Sequence, residues 1–382
     1  MNANVLMNEE ARCGMVDLQL VDALLAFIDA DGCTDDEFDA IAVRVFAHQY
    51  AADGPYRRFC QGRAITPRKV RGWRDLPAVP ITAFKETTLS VAPIADCERV
   101  FMTSGTSRAE SRGKHHHPTL AVYDRSMIRN FASRFMGGVR RLPVDGERRL
   151  PMAILFPDET QMPNSSLAHY LSLAVKEFGV GESRHFVGVD GADVDGFRHW
   201  LRDVCALGQP CAVLGASYGF VHVIDAFAEH GERFSLPPGS RILDTGGYKR
   251  QSRELPLDAF YDSVSNTFGV PRERCINMYG MTELSTQFYD DGNATLPSVK
   301  SGPHWIRSRA VDPLTGRDVP FGERGVLVHC DLANFNSTTT ILTEDAGRMV
   351  EGGFELLGRV EGAAAKGCSL AVEEFLEAAS GR

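Results

Sequence analysis

Four short segments of the 382-residue chain carry residue types whose spacing suggests chemistry. The first follows the apolar run RVFM and is rich in hydroxyl groups: Thr103-Ser104-Gly105-Thr106-Ser107. Backbone N–H groups of such a loop can surround phosphate oxygens, and the hydroxyls add further donors. The loop is not a Walker-type P-loop, because seven residues separate Gly105 from Gly113 where that pattern has four. A plain Ser/Gly turn is the commoner explanation for such a segment taken alone.

The second segment ends the apolar run CINM and reads Tyr279-Gly280-Met281-Thr282-Glu283. An aromatic ring beside a glycine suits the face of a purine. A threonine and a carboxylate at the end of a strand suit a phosphate and Mg²⁺. The alternative is an ordinary strand end with a buried tyrosine and a solvated glutamate.

The third segment is Thr343-Glu344-Asp345-Ala346-Gly347, which is followed by Gly358 and Arg359. A carboxylate in a tight turn can accept hydrogen bonds from ribose hydroxyls, and a guanidinium can support it or contact a phosphate. An ordinary β-turn, with aspartate in one of its favoured positions, is the alternative.

The fourth segment is Gly367-Cys368-Ser369-Leu370, before a stretch with Val372, Phe375, Leu376 and Ala379 on one predicted helical face. A thiol just before a helix N-terminus has a lowered pKa, and the neighbouring Lys366 would help. The glycines at 358, 362 and 367 predict a flexible linker. These features predict a reactive thiol on a mobile arm, with a buried structural cysteine as the alternative.

The predicted secondary structure that must position these segments differs from one part of the chain to the next. The first ~90 residues predict mostly amphipathic helices, with a capping box at Thr34 and Glu37. The helical pattern stops around Pro67, and the run VPITAFKET predicts an extended approach to the main domain. From about 98 to 280, short apolar runs alternate with predicted helices at 165–178, 194–206, 219–230 and 256–268. The runs are RVFMTSGT, PMAILF, CAVLGAS, RILDTGG and CINMYG. This alternation predicts an α/β fold with a mostly parallel, helix-covered sheet, and a smaller β-rich part follows from about 297 to 350.

Composition and charge argue against several classes of protein. The net charge of −9 and the pI of about 5.7 argue against a general nucleic-acid binder, which would show a basic face. The sequence shows no basic and apolar leader and no apolar stretch of membrane-spanning length. The nine cysteines include no CxxC pair, which argues against structural zinc or a disulfide framework. The expectation is a cytoplasmic protein with reduced thiols.

Taken in this order, the TSGTS loop, the YGMTE strand end, the TEDAG turn and the Gly358-Arg359 element resemble the conserved blocks of the adenylate-forming superfamily. The short branch of acyl-protein synthetases, the fatty-acid–luciferin-component ligases of bacterial fatty-acid reductase complexes, fits best over roughly residues 75–376. The segments that favour this branch are Asp244-Thr245-Gly246-Gly247-Tyr248-Lys249, Asn277–Glu283 and Gly367-Cys368-Ser369. The resemblance implies ATP-dependent activation of a carboxylic acid, fatty or aryl, with ATP and Mg²⁺ as cofactors.

The resemblance also implies a role for each residue. Phosphate contacts would come from Thr103 and Ser104 to Ser107, with Thr282 at the α-phosphate and Glu283 on Mg²⁺. Adenine would pack on Gly246, Gly247, Tyr279 and Gly280, and the ribose would bind Asp345, supported by Arg359. The acid pocket would be lined by Ala216, Ser217, Tyr218 and Phe220. Cys368 would take the acyl group and pass it to a partner protein, a reductase or a carrier.

The domain organisation follows from the same resemblance. Residues 1–95 are predicted to be a helical lead-in, 96–350 the adenylate-forming core, and 351–382 a glycine-punctuated tail with a short helix. Only 23 residues follow Arg359, so the C-terminal lid domain of typical superfamily members, with its catalytic lysine, is expected to be absent. The sequence departs from the superfamily after Thr106 and Ser107, at Arg108. His115-His116-His117 is interpreted as an exposed loop without a role.

Two alternatives remain open at this point. The adenylate could pass to coenzyme A, an amine or a carrier-protein thiol, with Cys368 serving only in structure. A serine hydrolase is the alternative from another class, because Gly215-Ala216-Ser217-Tyr218-Gly219 fits GxSxG between a predicted strand and a predicted helix. The acid of its catalytic triad would be Asp258 or Asp290, and the histidine would be His304 or His329. The four segments would then be unexplained.

Overall fold

A computed structural model describes residues 17–103, 112–138, 148–247 and 252–380. The chain divides into two compact units. The first unit contains Met1–Met127, Met281–Thr286 and Gly302–Arg382, and the second contains Ile128–Gly280 and Gln287–Ser301. The predicted boundaries at 95/96 and 350/351 do not coincide with these units, because the first unit takes residues from the start, the middle and the end of the chain.

The second unit is built on a sheet with parallel strands and an antiparallel edge strand. In spatial order the strands are Phe288–Tyr289, Cys275–Tyr279, Arg241–Thr245, Ala212–Ala216, Met152–Leu155 and Arg184–His185. Phe288–Tyr289 is the antiparallel one. The three strands that begin at Met152, Ala212 and Arg241 are buried along their whole length, as parallel strands between helical layers are. The parallel sheet predicted from the alternating pattern is therefore confirmed.

The helices of the second unit match the predicted ones closely. They are Ser166–Phe178, Val194–Leu207, Ser217–Ala228 and Leu257–Phe268, with Ala121–Arg134 leading into the unit. Asp193 caps the second of them by accepting a hydrogen bond from the N–H of Gly196. The core between helices and sheet is rich in aromatic rings, including those of Phe197, Phe220 and Phe268. Shorter elements are Val187–Gly188, Gly191–Ala192, Val299–Lys300 and the 3-10 helix Arg272–Arg274.

The first unit begins with the predicted amphipathic helices. They are Leu18–Asp29, Asp35–Ala52 and Gly54–Gly62, followed by the short helix Ala83–Glu86 and the 3-10 helices Trp73–Asp75 and Ile94–Asp96. Both hydrogen bonds of the capping box between Thr34 and Glu37 are present. Phe38 and Phe46 on the predicted apolar face are fully buried. The helical prediction for this region is confirmed.

The β-rich part of the first unit is an antiparallel sheet with a long central strand. Its strands, in order, are Ile306–Val311, Arg324–Asp331, Thr340–Val350 and Gly353–Arg359. Val79–Pro80 pairs in parallel with the long strand at Ile341 and Leu342. The C-terminal helix Gly362–Ser380 follows the last strand. The predicted flexible linker over 351–367 is wrong for the described residues, since strand and helix occupy most of it.

Two further predictions in the first unit need correction. The apolar run RVFM does form a strand, Arg99–Met102, but it pairs in an antiparallel hairpin with Lys114–His117 and not in the parallel sheet. The interpretation of the three histidines as an exposed loop is wrong. They form the second strand of this hairpin, and His115, His116 and His117 are 0%, 4% and 2% exposed. Side-chain polarity predicted exposure here, whereas the imidazoles of His115 and His117 are buried with hydrogen-bond partners and His116 accepts a hydrogen bond at its backbone carbonyl.

Candidate functional site

In the second unit, three predicted segments end on the same edge of the sheet. Ala216, Thr245 and Tyr279 are the last residues of three neighbouring parallel strands. Thr245 is the register partner of both Ala216 and Met278. Ligands of open α/β sheets bind at the carboxyl ends of such strands. The structure thus brings Gly246, Gly247, Tyr279 and Gly280 together with the Ser217–Phe220 segment, as the resemblance implied.

In the described residues, two glycines expose the backbone of this sheet edge, where a purine ring could lie. Gly246 and Gly247 are exposed, and Gly246 has φ 71°, a backbone conformation that favours glycine. Apart from its chain neighbours, no atom of the described residues lies within 4 Å of a Cβ built on Gly247. The ring of Tyr279 is partly buried against Phe288, with ring centroids 5.9 Å apart. A flat ligand can therefore approach the Gly247 backbone without displacing a side chain of the described residues.

The predicted acid-pocket residues differ in burial. Ala216, Ser217 and Phe220 are buried, and the ring of Phe220 packs edge-on against Phe260 in the core. Tyr218 is only partly buried, and burial raises the pKa of its hydroxyl. Of the two aromatic residues, Tyr218 is therefore the one with exposed surface that a substrate could contact.

A buried carboxylate, Asp244, holds this edge together. Its Oδ2 accepts hydrogen bonds from the Ser217 hydroxyl at 3.0 Å and the Asn277 amide at 2.9 Å. Its Oδ1 accepts one from the Tyr261 hydroxyl at 3.0 Å. Burial raises the pKa of Asp244 to about 6. These three donors explain why an acid stands at position 244.

The hydrogen bonds of Ser217 do not fit a nucleophile. Its Oγ lies 3.0 Å from Asp244 Oδ2, 3.3 Å from the Thr245 carbonyl and 3.2 Å from the Gly246 carbonyl. All three are acceptors, so the hydroxyl is a structural donor, and within the described residues no imidazole contacts it. His304 instead donates to the Phe27 carbonyl, and His329 bonds to Ser308.

We expect a fluorophosphonate probe to leave Ser217 unlabelled. A serine hydrolase reacts with such probes because a neighbouring histidine removes the hydroxyl proton, and no histidine contacts Ser217 among the described residues. Intact mass after incubation measures the labelling, with a known serine hydrolase as the positive control. A mass increment in the wild type that the Ser217→Ala variant lacks would contradict this expectation.

In the first unit, the base of the hydroxyl-rich loop lies next to Glu283. The Thr103 N–H donates to the Gly113 carbonyl, and the Gly113 N–H donates to the Thr103 hydroxyl, both at 3.0 Å. A Cβ built on Gly113 would be 3.0 Å from Glu283 Oε1 and 3.1 Å from Thr103 Cγ2. A side chain at 113 would crowd the Glu283 carboxylate and Thr103. Ser104, Gly105, Thr106 and Ser107 lie outside the described residues, as do Arg108, Tyr248 and Lys249.

Glu283 is a buried carboxylate and not a solvated one. Glu283 is 3% exposed, and burial raises the pKa of its carboxyl group to about 7. Lys85 and Arg359 oppose this rise through their positive charges, and Glu344 adds to it. Burying a carboxylate costs desolvation free energy. An acid that is nevertheless buried beside two cations is typical of a functional site.

Three buried side chains fix the backbone of this segment. The Nδ1–H of His115 donates to the Thr282 carbonyl at 2.9 Å, and the Asn334 amide donates to the Glu283 carbonyl at 2.8 Å. Asp331 accepts hydrogen bonds from the N–H groups of Ser285 and Thr286 at 2.9 and 2.8 Å. Burial lowers the pKa of His115 to about 4, so its ring is neutral and its Nε2 is an acceptor. These positioning residues were missed, although the triple histidine was a signal that could have been used.

Asp345 and Arg359 lie opposite each other on two paired strands. They are register partners, and Arg359 lies 3.4 Å from Asp345 Oδ1 and 3.5 Å from Glu344 Oε2. The tight turn predicted around Asp345 is wrong. The segment lies inside the strand Thr340–Val350, where the pairing register shifts between Asp345 and Gly347. A β-bulge of this kind redirects a side chain without ending the strand.

Cys368 does not precede a helix, and its thiol is not activated in this conformation. It lies six residues inside the helix Gly362–Ser380 and is 6% exposed. Burial raises the pKa of the thiol to about 11, and the charge of Glu344 acts in the same direction. The predicted lowering of its pKa is therefore wrong, because the helix starts earlier than the glycines suggested and turns the thiol toward the sheet.

Comparison with known proteins establishes the family. Residues 26–377 match the family model described as acyl-protein synthetase, LuxE. The chain belongs to the acyl-protein synthetase family. A long-chain-fatty-acid–luciferin-component ligase of Vibrio harveyi is 25% identical over 348 residues, which are 87% of this chain and 86% of that relative. The ligase of the same name from Aliivibrio fischeri is 23% identical and covers 89% of this chain and 88% of its own length.

Solved structures show the same fold. A crystal structure of 2-hydroxyisobutyryl-CoA ligase in complex with 2-HIB-AMP aligns with a TM-score of 0.61 at 15% identity, covering 85% of this chain and 68% of that one. An open conformation of that ligase, with 2-HIB-AMP and CoA, also gives a TM-score of 0.61. The fold of this acyl-protein synthetase is thus that of the adenylate-forming ligases. Family and fold support ATP-dependent formation of an acyl-adenylate followed by acyl transfer, and they do not support the serine hydrolase. Within the described residues, no helix has the length and apolar character needed to cross a membrane.

Proposed function

We propose that this acyl-protein synthetase activates a fatty or aryl carboxylic acid with ATP and then carries the acyl group on Cys368. The observation that supports it most is the setting of Glu283 in the first unit. This buried carboxylate lies against the base of the Thr103–Gly113 loop and within electrostatic reach of Arg359, which pairs with Asp345. A loop for phosphates, an acid for a cation and an acid–arginine pair for a ribose are the parts that adenylation needs.

In the first step, a carboxylate oxygen of the acid attacks the α-phosphorus of ATP. A P–O bond forms, the bond to the oxygen that bridges the α- and β-phosphorus breaks, and pyrophosphate leaves. Repulsion between the two anions is the obstacle, so fixed N–H donors and cations lower the barrier. We assign the loop 103–107 and Thr282 to the phosphates, and Asp345 with Arg359 to the ribose. Gly246, Gly247, Tyr279 and Gly280 are assigned to the adenine.

Glu283 is the residue that would hold Mg²⁺. No group of three or more His, Cys, Asp or Glu side chains that could hold a metal occurs among the described residues. This fits Mg²⁺, which is usually bound by one or two carboxylates together with the phosphates of its nucleotide. The ion would neutralise charge on the phosphates, and the fixed Glu283 backbone would keep the carboxylate in place for it.

In the second step, the Cys368 thiolate attacks the carbonyl carbon of the acyl-adenylate. A C–S bond forms, the C–O bond to the phosphate breaks, AMP leaves, and the thiol proton passes to solvent. A thiol with a pKa of about 11 is protonated at neutral pH. We therefore propose that the helix Gly362–Ser380 leaves the sheet before acylation. Gly358 and Gly362, with φ 96° and 59°, lie at the start of this segment and can absorb the change.

The contacts that hold the C-terminal helix predict how its release could be measured. Phe375 is fully buried, with its ring 4.9 Å from that of Phe59. A Phe→Ala change at a buried site costs about 3–5 kcal/mol, which here weakens the docking of the helix. Phe375→Ala is therefore expected to raise the rate of Cys368 alkylation by iodoacetamide at least about tenfold, since about 1.4 kcal/mol suffices for that factor.

The matched control is Glu373→Ala, because Glu373 is exposed on the same helix. Cys368 of this variant should be alkylated at the wild-type rate. Mass spectrometry of the peptide that contains Cys368 measures the rate in each protein. Equal slow alkylation in all three proteins would show that docking of the helix does not control the thiol.

The function itself is tested by intact mass after incubation with ATP, Mg²⁺ and a panel of straight-chain and aryl acids. An acyl-sized, hydroxylamine-labile increment is the expected result, and the acid that gives it is the substrate. Acid-dependent pyrophosphate release without an increment would contradict the cysteine carrier. It would favour the second candidate, transfer to coenzyme A, an amine or a carrier-protein thiol, which the buried thiol of Cys368 supports. For the acyl group carried on Cys368, we propose that the next acceptor is a partner protein, a reductase or a carrier.

A further inference from the structure

The first unit contains a cavity of about 490 Å³ between the C-terminal helix Gly362–Ser380 and the antiparallel sheet. On the sheet side it is lined by the aliphatic side chains of Val311, Val328 and Leu342, together with Arg309. The helix contributes Gly367, Leu370 and Ala371. The volume lies in the range of about 300–1,000 Å³ that is usual for pockets that bind small molecules.

Cys368 lies against the same aliphatic side chains. Its side chain belongs to one apolar cluster with Val311, Val328 and Leu342. Its Sγ is 3.9 Å from the carbonyl oxygen of Thr343, the residue after Leu342. A group bonded to this sulfur would therefore begin beside the aliphatic side chains that line the cavity.

The rim of the cavity exposes apolar surface. Leu314 is 61% exposed and Leu370 is 56% exposed, and both line this one cavity. Single exposed leucines need no explanation, but two at the mouth of one cavity beside a buried thiol fit an apolar ligand. The arginines of the lining already have carboxylate partners: Arg63 with Glu374, and Arg74 and Arg309 with Asp318. This pairing favours an uncharged chain over a free carboxylate.

A second cavity of about 500 Å³ lies near the start of the same helix, where Ala364 and Val360 line it. It shares Val311 and Val326 with the cluster of Cys368. Its lining also holds Asp312, Arg324 and Glu361, which form no salt bridge within the described residues. Solvated charges of this kind fit water better than a hydrocarbon chain.

We propose that the cavity lined by Leu370 and Ala371 holds the hydrocarbon chain of the acyl group carried on Cys368, which keeps water from the thioester. The inference rests on the proposed carrier role of Cys368. It adds that the docked helix, with the cavity beneath it, protects the loaded thioester. Release of the helix would then expose the thioester to its acceptor.

The test is the hydrolysis rate of isolated acyl-protein, loaded by the enzyme itself with octanoate or tetradecanoate and followed by intact mass. The wild-type tetradecanoyl thioester is expected to last at least about tenfold longer than the octanoyl one, because more methylene groups are buried. Ala371→Phe fills the cavity and is expected to remove this difference. Ala364→Phe, the matched control, fills the second cavity and should keep it. Leu314→Ser at the exposed rim should shorten only the tetradecanoyl lifetime, and it guards against misfolding of Ala371→Phe.

The outcomes separate the inference from the proposed function. If no acid gave a thioester, the carrier role and the inference would both fall. If a thioester formed but its lifetime did not depend on chain length, the inference alone would be wrong. Loss of the difference in Ala364→Phe and its retention in Ala371→Phe would place the chain in the other cavity. Binding of free tetradecanoate to Cys368→Ala protein, abolished by adding Ala371→Phe, would assign the cavity to the free acid.

Discussion

Cys368→Ala is expected to abolish the covalent, hydroxylamine-labile acyl increment completely, while acid-dependent exchange between pyrophosphate and ATP persists. The reason is that adenylation needs the residues around Glu283 and Asp345, and the thiol enters only after the acyl-adenylate exists. Intact mass and pyrophosphate exchange, measured on the same preparation, report the two steps separately.

The control for this experiment is Cys97→Ala. Cys97 is a partly buried thiol of the first unit whose pKa is also raised by burial, and it lies outside the segments assigned to chemistry. This variant should be acylated like the wild type. A stable acyl increment that survived in Cys368→Ala but not in Cys97→Ala would move the carrier role to another residue.

Glu283→Gln is expected to slow acid-dependent pyrophosphate release by at least about 100-fold, since a metal ligand at a phosphate contributes several kcal/mol to the transition state. The amide has the shape of the carboxylate but no charge with which to hold Mg²⁺. The hydrogen bond from Asn334 goes to the Glu283 backbone carbonyl and is kept. Because a buried neutral amide avoids the desolvation cost of a charge, thermal stability should be unchanged or higher.

Glu361→Gln serves as the control for Glu283→Gln. Glu361 is an exposed acid of the first unit, so this variant makes the same change in net charge at the surface. It should release pyrophosphate at the wild-type rate. An active Glu283→Gln enzyme with an unchanged dependence on Mg²⁺ would show that Glu283 does not hold the ion.

Much of the fold was predictable because its signals are local. The helices of the second unit lie within two residues of their predicted bounds, and the capping box at Thr34 forms as predicted. Periodicity and capping depend on residues three or four positions apart, which a sequence displays directly. The run RVFM was placed in the wrong sheet, because a strand pattern does not name its partner strand.

The residue types of the candidate site were predicted from the sequence, but the burial and the hydrogen-bond partners of those residues were not. Asp345 and Arg359 do lie together, but in paired strands with a bulge and not at a turn. The burial of Glu283 and the support of its backbone by His115 and Asn334 were not predicted, since these contacts join residues 51 and 167 positions apart. A single sequence gives no measure of such pairings.

The sequence by itself determined the order of the chemical segments, the parallel sheet that carries one of them, and the family to which the chain belongs. Only the tertiary structure decided which of those groups are desolvated. It buries the three histidines, raises the pKa of Glu283 and seals the Cys368 thiol against the sheet. The physical reason is that the protonation state and access of a side chain depend on what packs around it, and that packing comes from distant parts of the chain.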